Sequence, residues 1–223
     1  MAVSQLIDHT LLKPTATSKD IIHLCEEAKQ YNFFAVCVNG CYVALAKNHL
    51  KDTAVKVAAV VGFPLGASAS ESKIEEAKIC IKDGADEIDM VLNIGFLKAK
   101  NYEGVKNEIE AVKKTIGDKT LKVILETCYL TDEEIRIACK LTKKAGADYV
   151  KTSTGFGTSG ATEHAVKIMV DEVGKYLKIK ASGGIKDLAT AQKYIEMGVS
   201  RIGTSSGVAI VSFLKINPDE HTY

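Results

Sequence analysis

Short apolar runs alternate with amphipathic stretches along the whole chain, and this alternation most constrains the fold. The expected strands are Leu6–Leu12, Phe33–Asn39, Lys56–Phe63, Glu87–Asn93, Lys122–Thr127, Tyr149–Thr154, Lys178–Ser182 and Arg201–Ser205. The middle ones are near-continuous Val, Ile, Ala and Leu runs, the pattern of parallel strands covered on both faces. Successive strand ends lie roughly 23 to 34 residues apart, room for a strand, a helix and two short loops.

Between the strands, the helices carry their own punctuation. Thr17 or Ser18 caps a helix through Ile21, Ile22, Cys25 and Ala28, and Ser70 opens one through Ile74, Ala77 and Ile81 that stops at Gly84. Val105, Ile109, Val112 and Ile116 recur at helical spacing and stop at Gly117. Thr131 and Glu134 form a capping box for a helix ending at Gly146, and Asp187 starts one that closes at Gly198. Eight regular units favour closure into a single (β/α)₈ barrel over an open doubly wound sheet, an α/β fold in one domain across residues 1–223. Only residues 217–223 read as a loose polar tail.

Composition narrows the functional classes. Lys plus Arg total 29 against 28 Asp plus Glu, a net charge of +1, so neither sign dominates the field and nucleic-acid binding is not expected. No run approaches the ~18 apolar residues of a membrane span. The first residues show no basic n-region or long apolar h-region, so a cytoplasmic protein is expected. The six cysteines form no C-x-x-C pair and read as buried reduced thiols. The five histidines are scattered, so the cluster of a zinc-dependent enzyme is missing and no metal is expected.

Three helix-to-strand junctions share one frame: Gly84 to Asp89, Gly146 to Lys151 and Gly198 to Gly203. Equal spacing predicts that Asp89, Lys151 and Gly203 sit at similar heights on the same side of their strands. A strand lysine ordinarily snorkels to water. Inside a barrel mouth, Lys151 would instead be desolvated and become a nucleophilic amine. Lys180 lies on the following strand, with Lys178 one pleat nearer the bottom. If Lys151 and Lys180 face each other at about 5 Å, an effective dielectric of about 20 gives roughly 3 kcal/mol of repulsion, enough to bring one ammonium from about 10.4 toward 8. Asp89 is expected to carry proton traffic, or to pair structurally with Lys180; the two roles overlap. Asp86 and Asp148 read as structural. Asp8 and His9 on the first strand are candidates for lining the mouth.

The glycine-rich ends of the last strands, Ser182-Gly183-Gly184-Ile185 and Gly203-Thr-Ser205-Ser206-Gly207, predict a phosphate cradle of backbone N–H groups. Gly155 is expected to add another N–H, and Lys186 a positive charge.

These residues carry a family resemblance. Asp8-His-Thr-Leu-Leu-Lys13, Gly62-Phe-Pro-Leu-Gly66, Glu87-Ile-Asp89, Leu125-Glu-Thr-Cys128, Lys151-Thr-Ser-Thr-Gly155 and Lys180-Ala-Ser-Gly-Gly184 resemble, in order, the motifs of the deoxyribose-phosphate aldolases. The resemblance implies reversible cleavage of 2-deoxy-D-ribose 5-phosphate to acetaldehyde and D-glyceraldehyde 3-phosphate. It implies a Schiff base on Lys151, tuning of its acidity by Lys180, and a proton relay through Asp89 and Lys180. Cys37 matches a pocket cysteine close enough to meet aldehydes, and Gly183, Gly184, Ser205 and Ser206 match the phosphate site. A covalent electron sink requires no cofactor. Expected partners are small phosphorylated sugars and aldehydes and, as in many relatives, further copies of the chain in a dimer or tetramer. Some relatives end in a tyrosine that reaches the pocket; Tyr223 would do the same or belong to a disordered end. Two rivals stay open: another phosphate-binding barrel enzyme, such as an isomerase or synthase, and a non-catalytic phosphosugar-binding barrel.

Overall fold

The computed structural model describes residues 2–212. The strands β1 (Ile7–Leu11), β2 (Ala35–Val38), β3 (Lys56–Val61), β4 (Glu87–Val91), β5 (Thr120–Ile124), β6 (Tyr149–Lys151), β7 (Lys178–Ser182) and β8 (Arg201–Thr204) form one closed parallel barrel in chain order. Around them lie α1 (Ser18–Gln30), α2 (Val43–Leu50), α3 (Ser70–Lys82), α4 (Ile94–Lys98) and α5 (Tyr102–Ile116). The outer layer continues with α6 (Asp132–Lys144), α7 (Glu163–Val173), α8 (Leu188–Glu196) and α9 (Gly207–Ser212). The expected (β/α)₈ barrel is therefore the observed fold. No described helix is long and apolar enough to cross a membrane.

β3 to β6 end two or three residues earlier than the apolar runs, because the last residues of each run turn into the mouth loops; β1, β2 and β8 end one residue early and β7 ends where expected. β5 instead begins at Thr120, two residues before the expected start, which places Lys122 inside the strand. Thr17 caps α1 and Thr131 caps α6, each through a reciprocal capping box, and Asp187 caps α8. Ser70 does not cap α3: its hydroxyl donates to Glu108 at 3.1 Å, and Ala69 holds the cap position.

Alternation along the strands divides the two faces. Ile88 and Met90, Leu121 and Val123, Ile179 and Ala181 pack outward with the helices in one apolar core. The opposite residues face the bore. There the apolar cluster is small, Leu12, Cys37, Ala58 and Val60 with Phe63, and the remaining positions are largely polar. His9 belongs to the outer face, not to the mouth: its Nε2 lies 2.7 Å from Glu27 on α1 and its ring packs against Phe33. Asp86 and Asp148 are structural, accepting from the amides of Val57 and Leu121 and from Lys47 and Lys113. The thiols are free, but Cys41 is exposed and Cys128 half-buried, against the expectation that all six are covered.

A buried ion pair secures the β3 side of the mouth. Lys73 on α3 reaches Glu108 on α5 at 2.8 Å and donates to the Val91 carbonyl at 2.9 Å. Its stem fills the space beside Gly62, where a Cβ would come within 2.8 Å of it. Removing one partner strands a buried charge. Glu108→Ala is expected to lower unfolding free energy by roughly 3–5 kcal/mol, whereas the Lys73→Met/Glu108→Leu double variant loses much less. Urea denaturation of the three proteins checks this, and a double variant as unstable as the single would contradict it.

Candidate active site

Seven ionisable side chains from β1, β4, β5, β6, β7 and β8 converge in the bore, all nearly inaccessible to water. Six of them close a ring of alternating charge. Glu87 meets Lys122 at 2.6 Å, Lys122 meets Asp89 at 2.6 Å, and Asp89 meets Lys180 at 2.8 Å. Lys180 pairs with Asp8, Asp8 accepts from Nε of Arg201 at 2.8 Å, and Arg201 returns to Glu87 at 2.8 Å. Three carboxylates and three cations cancel. Lys151 hangs outside the ring, its Nζ 2.8 Å from the Asp89 Oδ2 that Lys180 also holds.

Electrostatics follow from this arrangement. Burial works against the charged forms of Asp8, Asp89, Lys122, Lys180 and Arg201, but their partners overturn it. Asp8 ionises more readily than an ordinary carboxylic acid because Arg201, Lys180 and Lys122 outweigh its burial. Asp89 is held well below the usual carboxylate range by Lys122, Lys151 and Lys180, again against burial. Lys180 and Lys122 keep their protons more tightly than usual in spite of burial, Lys180 facing Asp8 and Asp89, and Lys122 facing Asp89, Glu87 and, farther off, Asp8. Lys151 alone goes the other way. Burial is the larger cause, Asp89 opposes it, and the Lys180 charge adds to the lowering.

The expected lysine pair is thus present, with a different balance of causes. The two nitrogens share one carboxylate oxygen, so they stand less than twice 2.8 Å apart. Asp89 between them absorbs much of the repulsion, and desolvation contributes more than Lys180 does. Asp89 pairs with Lys180, as one of the two expected readings has it, and also touches Lys151. Cys37 is buried beside this group, and burial pushes its thiol up. Lys178 is exposed at the bottom, its amine over the Tyr149 ring.

Gly203 lies in the bore next to Lys180. A Cβ there would come within 2.9 Å of Lys180 Cε and 2.8 Å of Ser182 Cβ, so the glycine makes room for the lysine stem. Gly155, Gly183 and Gly184 all adopt positive φ in the loops after β6 and β7. Those loops are locked together, since a Cβ on Gly160 would sit 2.2 Å from the Gly183 carbonyl. Ser205 is exposed after β8; the Ser206 amide donates to Thr204 Oγ1 at 2.9 Å. Tyr223 and residues 217–223 lie outside the described residues.

Four members of the site were not singled out from sequence: Lys122, Glu87, Arg201 and Glu126. Glu126 is buried in the left-handed region (φ 54°) just after β5. It accepts from the Thr154 amide at 3.1 Å and from the Thr154 hydroxyl, three residues beyond Lys151. Burial raises its pKa in spite of these bonds. Among the described residues, no group of His, Cys, Asp and Glu side chains is arranged to hold a metal ion.

Comparison with known proteins agrees with this geometry. The family model described as DeoC/LacD family aldolase matches residues 2–212. A deoxyribose-phosphate aldolase of Thermoanaerobacter sp. (strain X514) is 56% identical over 214 residues, covering 95% of this chain and 96% of its own. Among solved structures, a putative deoxyribose-phosphate aldolase from Coccidioides immitis superposes with a TM-score of 0.92 at 43% identity, covering 96% of this chain and 86% of that one. The tetrameric deoxyribose phosphate aldolase from Aeropyrum pernix gives 0.87 at 32% identity, covering 94% and 89%. With a family model spanning nearly the whole chain, relatives above half identity, and a desolvated amine in a buried charge cluster, this chain belongs to the DeoC/LacD family of aldolases.

Proposed function

We propose that the chain catalyses the reversible retro-aldol cleavage of 2-deoxy-D-ribose 5-phosphate to acetaldehyde and D-glyceraldehyde 3-phosphate. The observation that carries this reading is Lys151, the one cation of the cluster that stands outside a self-neutralised ring and whose proton affinity is lowered. Its free amine attacks the C1 aldehyde of the open-chain sugar, and loss of water leaves an iminium. The electron pair of the C2–C3 bond then moves into the iminium to give an enamine, while the C3 hydroxyl gives up its proton and becomes the aldehyde of the departing three-carbon phosphate. Protonation of the enamine at C2 and addition of water release acetaldehyde and restore the amine.

Asp89 is the counter-ion of the iminium and, with Lys180, the entry to the proton relay. Gly155, Gly183, Gly184, Ser205 and Ser206 are assigned to the phosphate end, with positive-φ glycines supporting a concave run of N–H groups at the first three; Gly203, expected there too, instead lies inside β8 against the Lys180 stem. Asp8 and Cys37 complete the walls. The tetramer of the Aeropyrum pernix relative supports a homo-oligomer here, and the matched family supports small phosphosugar and aldehyde partners.

Two measurements test the reading. Borohydride reduction with deoxyribose 5-phosphate, followed by peptide mass mapping, is expected to trap one adduct, on Lys151. Lys151→Ala loses it entirely, while Lys180→Ala still forms it but turns over on the order of 10² to 10³ times more slowly. Full activity in either variant would sink the two-lysine mechanism. The second measurement is a pH profile. Because the Lys151 proton affinity is lowered, kcat/KM rises with pH through that depressed value and levels off well before about 10.4. A limb at the ordinary lysine value would contradict the assignment.

A further inference from the structure

Glu87 and Arg201 lie at the lower end of the cluster, where they line a cleft of about 360 Å³ on the floor of the barrel, on the side of the strand starts. Neither touches Lys151, and both are too deep to be surface ion pairs: Arg201 is 2% and Glu87 5% exposed. Arg201 makes two contacts to Asp8 and two to Glu87, and its guanidinium stacks 3.6 Å over the Phe34 ring. Glu87 holds Arg201 and Lys122 together. Without these two residues Asp8, Asp89, Lys122 and Lys180 remain a neutral set, closed only by the looser approach of Lys122 to Asp8 at 3.8 Å.

We propose that Glu87 and Arg201 are positioning residues of the reaction: they close a neutral ring, and so decide that the surplus positive charge in the bore, with its mobile proton, falls to Lys151. The inference rests on the Schiff-base reading of Lys151 given above. An isolated charge in such an interior is strongly penalised, so the cluster settles at the protonation state nearest neutrality. With all six ring members ionised that state has Lys151 as free amine. Removing a ring anion leaves one cation in excess and drives Lys151 further toward the amine. Removing a ring cation leaves an excess of negative charge, and Lys151 takes up a proton to balance it. The other groups that act on Lys151 are Cys37 on β2, a neutral thiol whose pKa is raised, and Glu126 beyond β5; neither variant below alters them.

The test is the acid limb of kcat/KM against pH in Glu87→Gln, Arg201→Gln, the double variant and Arg201→Lys. A unit charge acting at roughly 10 Å through an effective dielectric of about 20 moves a pKa by about one unit. The limb should therefore fall by about one pH unit in Glu87→Gln and rise by about one in Arg201→Gln. It should return toward the wild-type position in the double variant, whose ring is neutral again, and stay near it in Arg201→Lys. Damage to packing alone would move both single variants the same way, or neither, and would add in the double; any of these results overturns the proposal. If Arg201→Gln does not fold, the direction in Glu87→Gln decides alone. Borohydride trapping on the wild-type protein separates the two claims. No adduct on Lys151 defeats the aldolase reading, whereas an adduct with unshifted limbs defeats only the role of the ring.

Discussion

Three carboxylates and three cations taken out of water must satisfy one another completely, and that requirement governs the architecture around them. Each would cost several kcal/mol if left alone in the bore. Their partners come from β1, β4, β5, β7 and β8, and the contact between Asp8 and Arg201 spans 193 residues of sequence. That contact crosses the seam where the last strand returns beside the first. The ring therefore exists only in the closed barrel. An open sheet of the same strands would leave Asp8 and Arg201 at opposite edges, each without its counterpart.

The same ring explains why one lysine differs from two others a few ångströms away. Lys122 and Lys180 each bridge at least two carboxylates, but Lys151 has only a share in Asp89, already claimed by both. Solvation that water would have supplied is not replaced. In the proposed reaction an iminium on Lys151 would bring a positive charge back to the place the free amine had left neutral, beside the Asp89 carboxylate. Glu126 acts on a different part of the site: by holding Thr154 it fixes the turn that follows the reactive strand.

Much of this was legible in the chain. The glycine-led frame put Asp89, Lys151 and Gly203 on one side of their strands, and the bore contains all three. The same frame, moved back one pleat, points to Glu87, Tyr149 and Arg201, and two of those belong to the ring. What hid them was treating strand starts as boundaries. Lys122 heads its apolar run, but the strand begins at Thr120, so Lys122 stands inside it with its side chain in the bore. His9 misled for the converse reason: adjacent to Asp8, it necessarily faces the other way. Glu126 gives no periodic signal, because it sits past the strand in a left-handed turn. Nor does spacing reveal which of two lysines keeps its proton; that depends on how many carboxylates each one touches.

The bore is also divided lengthwise. Leu12, Cys37, Ala58 and Val60, with Phe63 at the rim, form an uncharged wall facing the ionised side. Shape and charge are thereby assigned to separate halves of one cavity. Residues on the uncharged wall can change in size, admitting a bulkier or smaller aldehyde, without altering the count of charges that the opposite half must balance. The barrel offers its descendants a surface on which substrate range can drift while the chemistry stays in place.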